Sequence, residues 1–252
     1  MLIEHISVSR SQTWQGCQQS YKYKYHLKIP VKQEKEYFIY GKIIHKIAEE
    51  YAKNKGEKNI NDITKEILTG VVPYEFDKKA PKLSNDYLKK IPNHVLQLKK
   101  INDKIGFTGE IEWKFHYDLS PPKQQFITGF IDRLIIKDDK YFLLDYKTTK
   151  KGIYRKNKNT IKDDLQLKVY ARVVQKHFGA KAENIFAALY FLEGAELIST
   201  KFSEETLLQA EQELQKIYEQ IQNTHPDDAY GNVTEACSRC DYKNICPFYN
   251  LV

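Results

Sequence analysis

A chain of 252 residues, 41% hydrophobic and 13% aromatic, carries enough apolar side chains to bury a sizeable core, which excludes global disorder. Its 40 Lys plus Arg exceed its 33 Asp plus Glu, for a formal net charge of +7, a balance that suits a polyanionic partner and equally a soluble Lys-rich surface. No stretch approaches a transmembrane span, and the start, MLIEHISVSRS, lacks the basic region, apolar stretch and cleavage site of a signal peptide, so an intracellular, cytoplasmic protein without membrane contact is expected.

In chain order, residues 1 to 38 hold SVSRSQTWQGCQQSYKYKYHLK, where basic residues alternate with Tyr around a single Trp. GKIIHKIAEEYAKNKG, 41 to 56, predicts a helix, with Ile43, Ile44, Ile47 and Tyr51 at helical spacing and Gly56 as a stop. Residues 60 to 104 are Lys-rich, carry Pro73, Pro81 and Pro92, and read as short helices of a covering subdomain. From 107 to 149 the pattern turns to strands, FTGEIEWKFHYDL, QFITGFIDRLII and KYFLLDYKT, with turn signals at Ser120-Pro121-Pro122 and Asp138-Asp139. DDLQLKVYARVVQKHFG, 163 to 179, predicts a helix ended by Gly179; NIFAALYFLEG a strand; SEETLLQAEQELQKIYEQIQ, 203 to 222, an amphipathic helix capped by Ser203. Strands followed by helix, strand and helix indicate a mixed α/β core.

If Asp138 and Asp139 form a hairpin tip, cross-strand partners have numbers that sum to 277, so Ile136 faces Tyr141, Leu134 faces Leu143 and Asp132 faces Asp145. Directly opposed side chains stand about 4.5 to 5.5 Å apart at Cβ, where two carboxylates repel. Period-two alternation puts Asp132, Asp145 and Lys147 on one face and Ile131, Ile135, Phe142, Leu144 and Tyr146 on the other, which is expected to be nearly all apolar. Facing carboxylates persist when a divalent cation or a shared proton lies between them, and oxygen ligands suit Mg²⁺ or Mn²⁺. The plainer alternative is a solvated strand face on which Lys147 screens two acids.

Four cysteines in an intracellular chain are not expected to form disulfides. Cys237, Cys240 and Cys246 form C-x₂-C-x₅-C, followed by Pro247, while Cys17 stands alone far upstream. Soft thiolates in a set of four suit zinc or an iron-sulfur cluster, and either would tie the two chain ends together.

Gly129-Phe130-Ile131-Asp132-Arg133 followed by Leu144-Asp145-Tyr146-Lys147-Thr148 resembles the PD-(D/E)XK nuclease signature in the form found in RecB-like exonuclease domains. Upstream, Gly41 to Glu49 reads G-x-x-x-H-x-x-x-E, similar to the helix that supplies that family's metal-binding histidine; Gly41, His45, Ala48 and Ala52 share one face, whose small residues would let it approach the sheet closely. Downstream, Gln166 and Tyr170 resemble the family's Q-x-x-x-Y helix motif. The family's proline before the first acid is replaced by Ile131.

The resemblance implies a restriction-endonuclease-like core, a mixed central sheet flanked by helices, over residues 41–56 and 107–222, with a helical insertion at 57–106 and an Fe-S-binding region made of 1–38 and 224–252. It implies that His45, Asp132, Asp145 and the Tyr146 carbonyl hold one or two Mg²⁺ or Mn²⁺ ions, that Lys147 orients the attacking hydroxide, and that Gln166 and Tyr170 project toward the lysine and DNA. Glu112 lies where many relatives carry a further acid, and Glu110, two residues away, leaves that choice open. The cysteine pattern is similar to the [4Fe-4S] site of AddB-type and CRISPR-associated exonucleases, which implies that Cys17, Cys237, Cys240 and Cys246 hold a structural cluster. Such a cluster would hold Arg10, Trp14, Tyr21 and Lys22 where they could contact phosphates and stack on bases.

The function implied is a metal-dependent DNA exonuclease acting on single-stranded ends, in DNA repair, recombination or CRISPR adaptation. Alternatives are a non-catalytic DNA-binding subunit and an endonuclease on the same core. No P-loop motif is present, so the chain is expected to act alone or to borrow a motor, and the resemblance implies a helicase or CRISPR integration proteins as candidate partners.

Overall fold

The computed structural model describes the chain except residues 2, 32–33, 76–79, 122, 151, 153–154 and 250–252. Pro122 of the expected turn lies outside the described residues, as do parts of the segments read at the two ends and in the helical insertion.

The chain opens with β1 (His5–Ile6) and α1 (Val8–Gly16), whose cap is Ser7, its side chain accepting from Arg10 N. Cys17 is extended and separates α1 from α2 (Gln18–Tyr21), which runs into a π-helical turn over Lys22–His26. Next come α3 (Glu36–Lys53), α4 (Ile60–Leu68), α5 (Asn85–Leu88) and α6 (Ile91–Ile105). Helix α3 begins five residues before the predicted start because Glu36 to Tyr40 contain no breaker and buried Tyr40 extends the apolar stripe. Pro92 is tolerated in α6 because it falls in the first turn, where its missing N–H has no helical partner to lose.

Strands β2 (Glu110–Asp118), β3 (Phe126–Lys137) and β4 (Lys140–Lys147) follow, then α7 (Leu165–Phe178), capped by Asp164, which accepts from Leu167 N, and ended by left-handed Gly179. After β5 (Ile185–Phe191) the sequence pattern runs straight on through Glu193-Gly194. The chain instead reverses there, at positive φ on Gly194 and Ala195, into an additional strand β6 (Glu196–Thr200) before α8 (Glu204–Asn223). Short 3₁₀ turns carry the chain from Pro226 to Ile245.

The chain divides into two compact units, one of Met1–Gln33, Lys114–Gly129 and Glu205–Val252, the other of Glu34–Trp113 and Phe130–Glu204. Strands β2 and β3 each pass from one to the other.

In the first unit β1 pairs in parallel with the start of β3. The N-terminal ammonium donates to the carbonyls of Ile221, Gln222 and Thr224 at 3.1, 3.1 and 2.7 Å, a cation placed at the negative end of α8. Tyr23 Oη donates to the Ile245 carbonyl at 3.0 Å and Tyr242 Oη to that of Ile29 at 3.3 Å.

The second unit is an α/β structure with a mixed sheet: β3 and β4 antiparallel, β4 and β5 parallel, β5 and β6 antiparallel. The β3–β4 register runs from Lys137↔Lys140 to Arg133↔Leu144, as the turn signal predicted, and Asp138 and Asp139 both adopt positive φ (51° and 56°), the backbone of a type I′ turn. Helices α3, α4 and α6 share one core with Leu144, Tyr146, Tyr190 and Leu192, so the Lys-rich helical segment packs on the same apolar surface as α3. Helix α7 lies against β4 and β5.

The hairpin face read as nearly all apolar requires correction. Arg133 lies on it at 0% exposure. Its guanidinium donates to Asn102 Oδ1 (2.7 Å) and to the carbonyls of Gly106 (3.1 Å) and Thr108 (2.9 Å), partners that offset part of the cost of removing a cation from water. Gly41 requires a second correction. Among the described residues a Cβ there would meet only Thr148 Oγ1, at 3.9 Å, so close approach to the sheet does not demand a glycine.

Candidate functional site

Within the second unit, the elements bring together side chains far apart in sequence: His45 from α3, Glu112 from β2, Asp132 from β3, and Asp145 and Lys147 from β4. Ligand atoms of His45, Glu112 and Asp132 all lie within 4.8 Å of one another. His45 Nδ1 is 3.3 Å from Asp132 Oδ2, and the same oxygen accepts from Tyr146 N at 2.7 Å. That backbone bond from the neighbouring strand fixes the carboxylate, and the Tyr146 ring turns into the core at 2% exposure.

Lys147 Nζ stands 2.8 Å from Asp145 Oδ2 and donates to Gln166 Oε1 at 2.9 Å, while Gln166 Nε2 donates to Tyr170 Oη at 2.8 Å. The one-turn spacing of Gln166 and Tyr170 on α7 thus forms a relay ending at the lysine. Asp145 is 3% exposed, and its Oδ2, although ion-paired, accepts no aligned hydrogen bond among the described residues.

The three acids share too little counter-charge. Burial pushes Asp145 up, Lys147 opposes it and the Asp132 charge adds to it, leaving the carboxyl at about 6. Glu112 rises to about 7 through burial and then Asp132. Asp132 itself is held below its ordinary value: burial would raise it, but His45, the Tyr146 N–H and Lys147 outweigh that. Burial alone would lower His45, yet the Asp132 charge raises it to about 9. Lys147, which burial would also lower, is held charged by Asp145. Repulsion of this kind is relieved by a divalent ion, and one imidazole with several carboxylates is a donor set that accepts Mg²⁺ or Mn²⁺.

Sequence alternation left Glu110 and Glu112 equivalent; the structure separates them. Glu112 adopts φ 50°, which breaks the alternation of β2 and brings its carboxylate to His45 and Asp132, whereas Glu110 is exposed. A non-glycine residue in the left-handed region costs about 1 to 3 kcal/mol and needs surrounding structure to hold it. No pattern in the sequence signals that bend.

The expectation that N-terminal aromatics stack on bases is corrected for two residues. Trp14 and Tyr21 are each 3% exposed and pack edge to face, with ring centroids 5.3 Å apart. Arg10 donates to the His5 carbonyl (2.8 Å) and lies over the Tyr25 ring, and Lys22 pairs with Asp227 at 3.3 Å. In the first unit Cys17, Cys237, Cys240 and Cys246, none of them in a disulfide and all partly exposed, line one cavity of about 30 Å³.

A family profile described as the PD-(D/E)XK nuclease superfamily matches residues 5–247. Among solved structures, one described as "Putative exonuclease" from Eubacterium rectale superposes with a TM-score of 0.59 at 13% identity, covering 95% of this chain and 88% of that chain. A crystal structure of SSO0001 gives a TM-score of 0.46 at 15% identity, covering 98% and 88%. A search of curated proteins found no match. No helix among the described residues is long and apolar enough to cross a membrane.

Proposed function

The chain belongs to the PD-(D/E)XK nuclease superfamily, and from that premise we propose that it hydrolyses DNA phosphodiester bonds, removing nucleotides from single-stranded ends. The observation that carries this reading is the convergence of His45, Glu112 and Asp132 beside the Asp145–Lys147–Gln166 chain.

His45, Glu112, Asp132 and Asp145, with the Tyr146 carbonyl, would hold one or two Mg²⁺ or Mn²⁺ ions. Such ions, when bound, lower the pKa of a water and neutralise charge on the phosphate. Lys147, kept charged, orients the attacking oxygen and offsets developing negative charge. Gln166 fixes the lysine's position and Tyr170 fixes the amide. No side chain forms a bond to phosphorus.

The four thiols we read as the holders of a structural [4Fe-4S] cluster. Support comes from a shared cavity and a soft donor set. Repair, recombination or CRISPR adaptation would be the setting, with a helicase or CRISPR integration proteins as partners.

The test is end-labelled and circular single-stranded DNA incubated with Mn²⁺, with and without chelator. Loss of label from linear DNA with the circle intact supports the reading. Discrete cuts in the circle would make the protein an endonuclease, and binding without cleavage a non-catalytic subunit. Anaerobically prepared protein should show broad visible absorbance that is lost in Cys240→Ser; stoichiometric zinc without iron would overturn the cluster.

A further inference from the structure

Helix α3 begins beyond the core that its later turns enter. Tyr37 lies on the helical row of Ile44 and Ala48, which are 0% and 4% exposed, yet is itself 49% exposed. Phe38 lies on the row of His45 and is 52% exposed. The two rings stand 4.3 Å apart at their centroids, tilted by 40°, and together form one apolar surface.

Between this surface and His45 sits Gly41, on the intervening turn. Among the described residues a Cβ there would meet only Thr148 Oγ1, so their packing does not require a glycine. Its missing side chain leaves the α3 surface between the aromatic pair and His45 without a Cβ at that turn. Phe38 and His45 are seven residues apart, about 10.5 Å along the axis at 1.5 Å per residue. That span matches about three stacked nucleotides at 3.4 Å each, and fewer in an extended strand.

The groups around the pair limit what can occupy it. Glu36 accepts from the backbone N of Ser84, and Lys42 is paired with Glu34 and Glu75, so these two charged groups of the first turns of α3 are already engaged. A flat, uncharged, aromatic group is the complementary partner.

We propose that Tyr37 and Phe38 form a stacking platform for a nucleobase of single-stranded DNA, holding the strand whose phosphate reaches His45 past Gly41. This rests on the hydrolytic reading for its direction and adds a source of strand selectivity to it. Inside a duplex each base already has both faces covered, so apart from the terminal pair only an unpaired strand can present one to the platform. Base–aromatic stacking of this kind tolerates any sequence.

The test is the affinity of a fluorescent ten-nucleotide strand for the full chain in chelator, measured by anisotropy, against an abasic strand of equal length. The double variant Tyr37→Ala, Phe38→Ala should bind the base-bearing strand about ten-fold more weakly. It should bind the abasic strand as the wild type does, and restoring one ring as Phe38→Trp in the Tyr37→Ala background should recover most of the loss. Equal affinity of wild type and double variant for the base-bearing strand would overturn the platform, as would an equal loss on both strands. Cleavage is a separate readout: if the wild type with Mn²⁺ leaves both strands intact, the hydrolytic reading falls while the comparison in chelator still decides the platform.

Discussion

Gln166 accepts a hydrogen bond from Lys147 at 2.9 Å, so the direction of the lysine is set by a helix that follows it in the chain rather than by its own strand. The same ammonium is 2.8 Å from Asp145. Removing either charged partner should abolish cleavage, in Asp145→Ala and in Lys147→Ala, with DNA affinity largely spared because phosphate contacts spread over many cations dominate binding. Gln166→Leu should lower kcat by about ten- to a hundred-fold at nearly constant KM, the mark of a group that positions another. Steady-state kinetics of the purified variants decide it, and unchanged turnover in Lys147→Ala would remove the proposed mechanism.

Glu112 belongs with His45 and Asp132 by distance, although its strand must bend to put it there. Glu112→Gln should weaken Mn²⁺ binding by at least ten-fold, whereas Glu110→Gln should leave it unchanged. Calorimetric titration of each variant separates the two acids without requiring turnover.

Arg133 is enclosed by three acceptors. Arg133→Leu would leave Asn102 Oδ1 without its donor in the interior, while water can reach the carbonyls of half-buried Gly106 and exposed Thr108, and a buried acceptor left unsatisfied costs about 1 to 3 kcal/mol. A loss of about 1 to 3 kcal/mol in denaturant unfolding is expected, and a change below about 0.5 kcal/mol would mean that water replaces the guanidinium.

Gly41→Ala should stabilise the protein. The added methyl meets Thr148 Oγ1 at ordinary van der Waals distance, and alanine is favoured over glycine inside a helix by about 1 kcal/mol. A lower unfolding midpoint would show that the backbone at this turn needs the glycine.

His94 is 1% exposed, bonded through Nδ1 to Tyr40 Oη at 2.7 Å and through Nε2 to Glu193 at 3.3 Å. Burial lowers its pKa from 6.5, with Glu193 opposing. A depressed pKa in the fold means the neutral ring is the one stabilised. Its contribution is therefore complete above about pH 6.5 and is lost as pH falls through the folded value. His94→Gln should flatten that acid limb in urea midpoints measured from pH 7.5 to 5.

The sequence by itself determined the β3–β4 register, through Asp138-Asp139 and period-two alternation, and with it the placing of Asp132, Asp145 and Lys147 on one face. It also determined the helix α7 and its Gly179 stop. These follow from interactions between residues a few positions apart, where the allowed backbone angles of a turn or a helical end leave few choices. Only the tertiary structure chose Glu112 over Glu110, reversed the chain into β6, buried Arg133 under Asn102, and turned Trp14 and Tyr21 inward. Glu112, Arg133 and Trp14 depend on partners supplied by distant segments, and a bend at φ 50° or a buried guanidinium is stable only once that partner is in place, whereas β6 pairs with the adjacent β5 across a turn that the pattern did not mark.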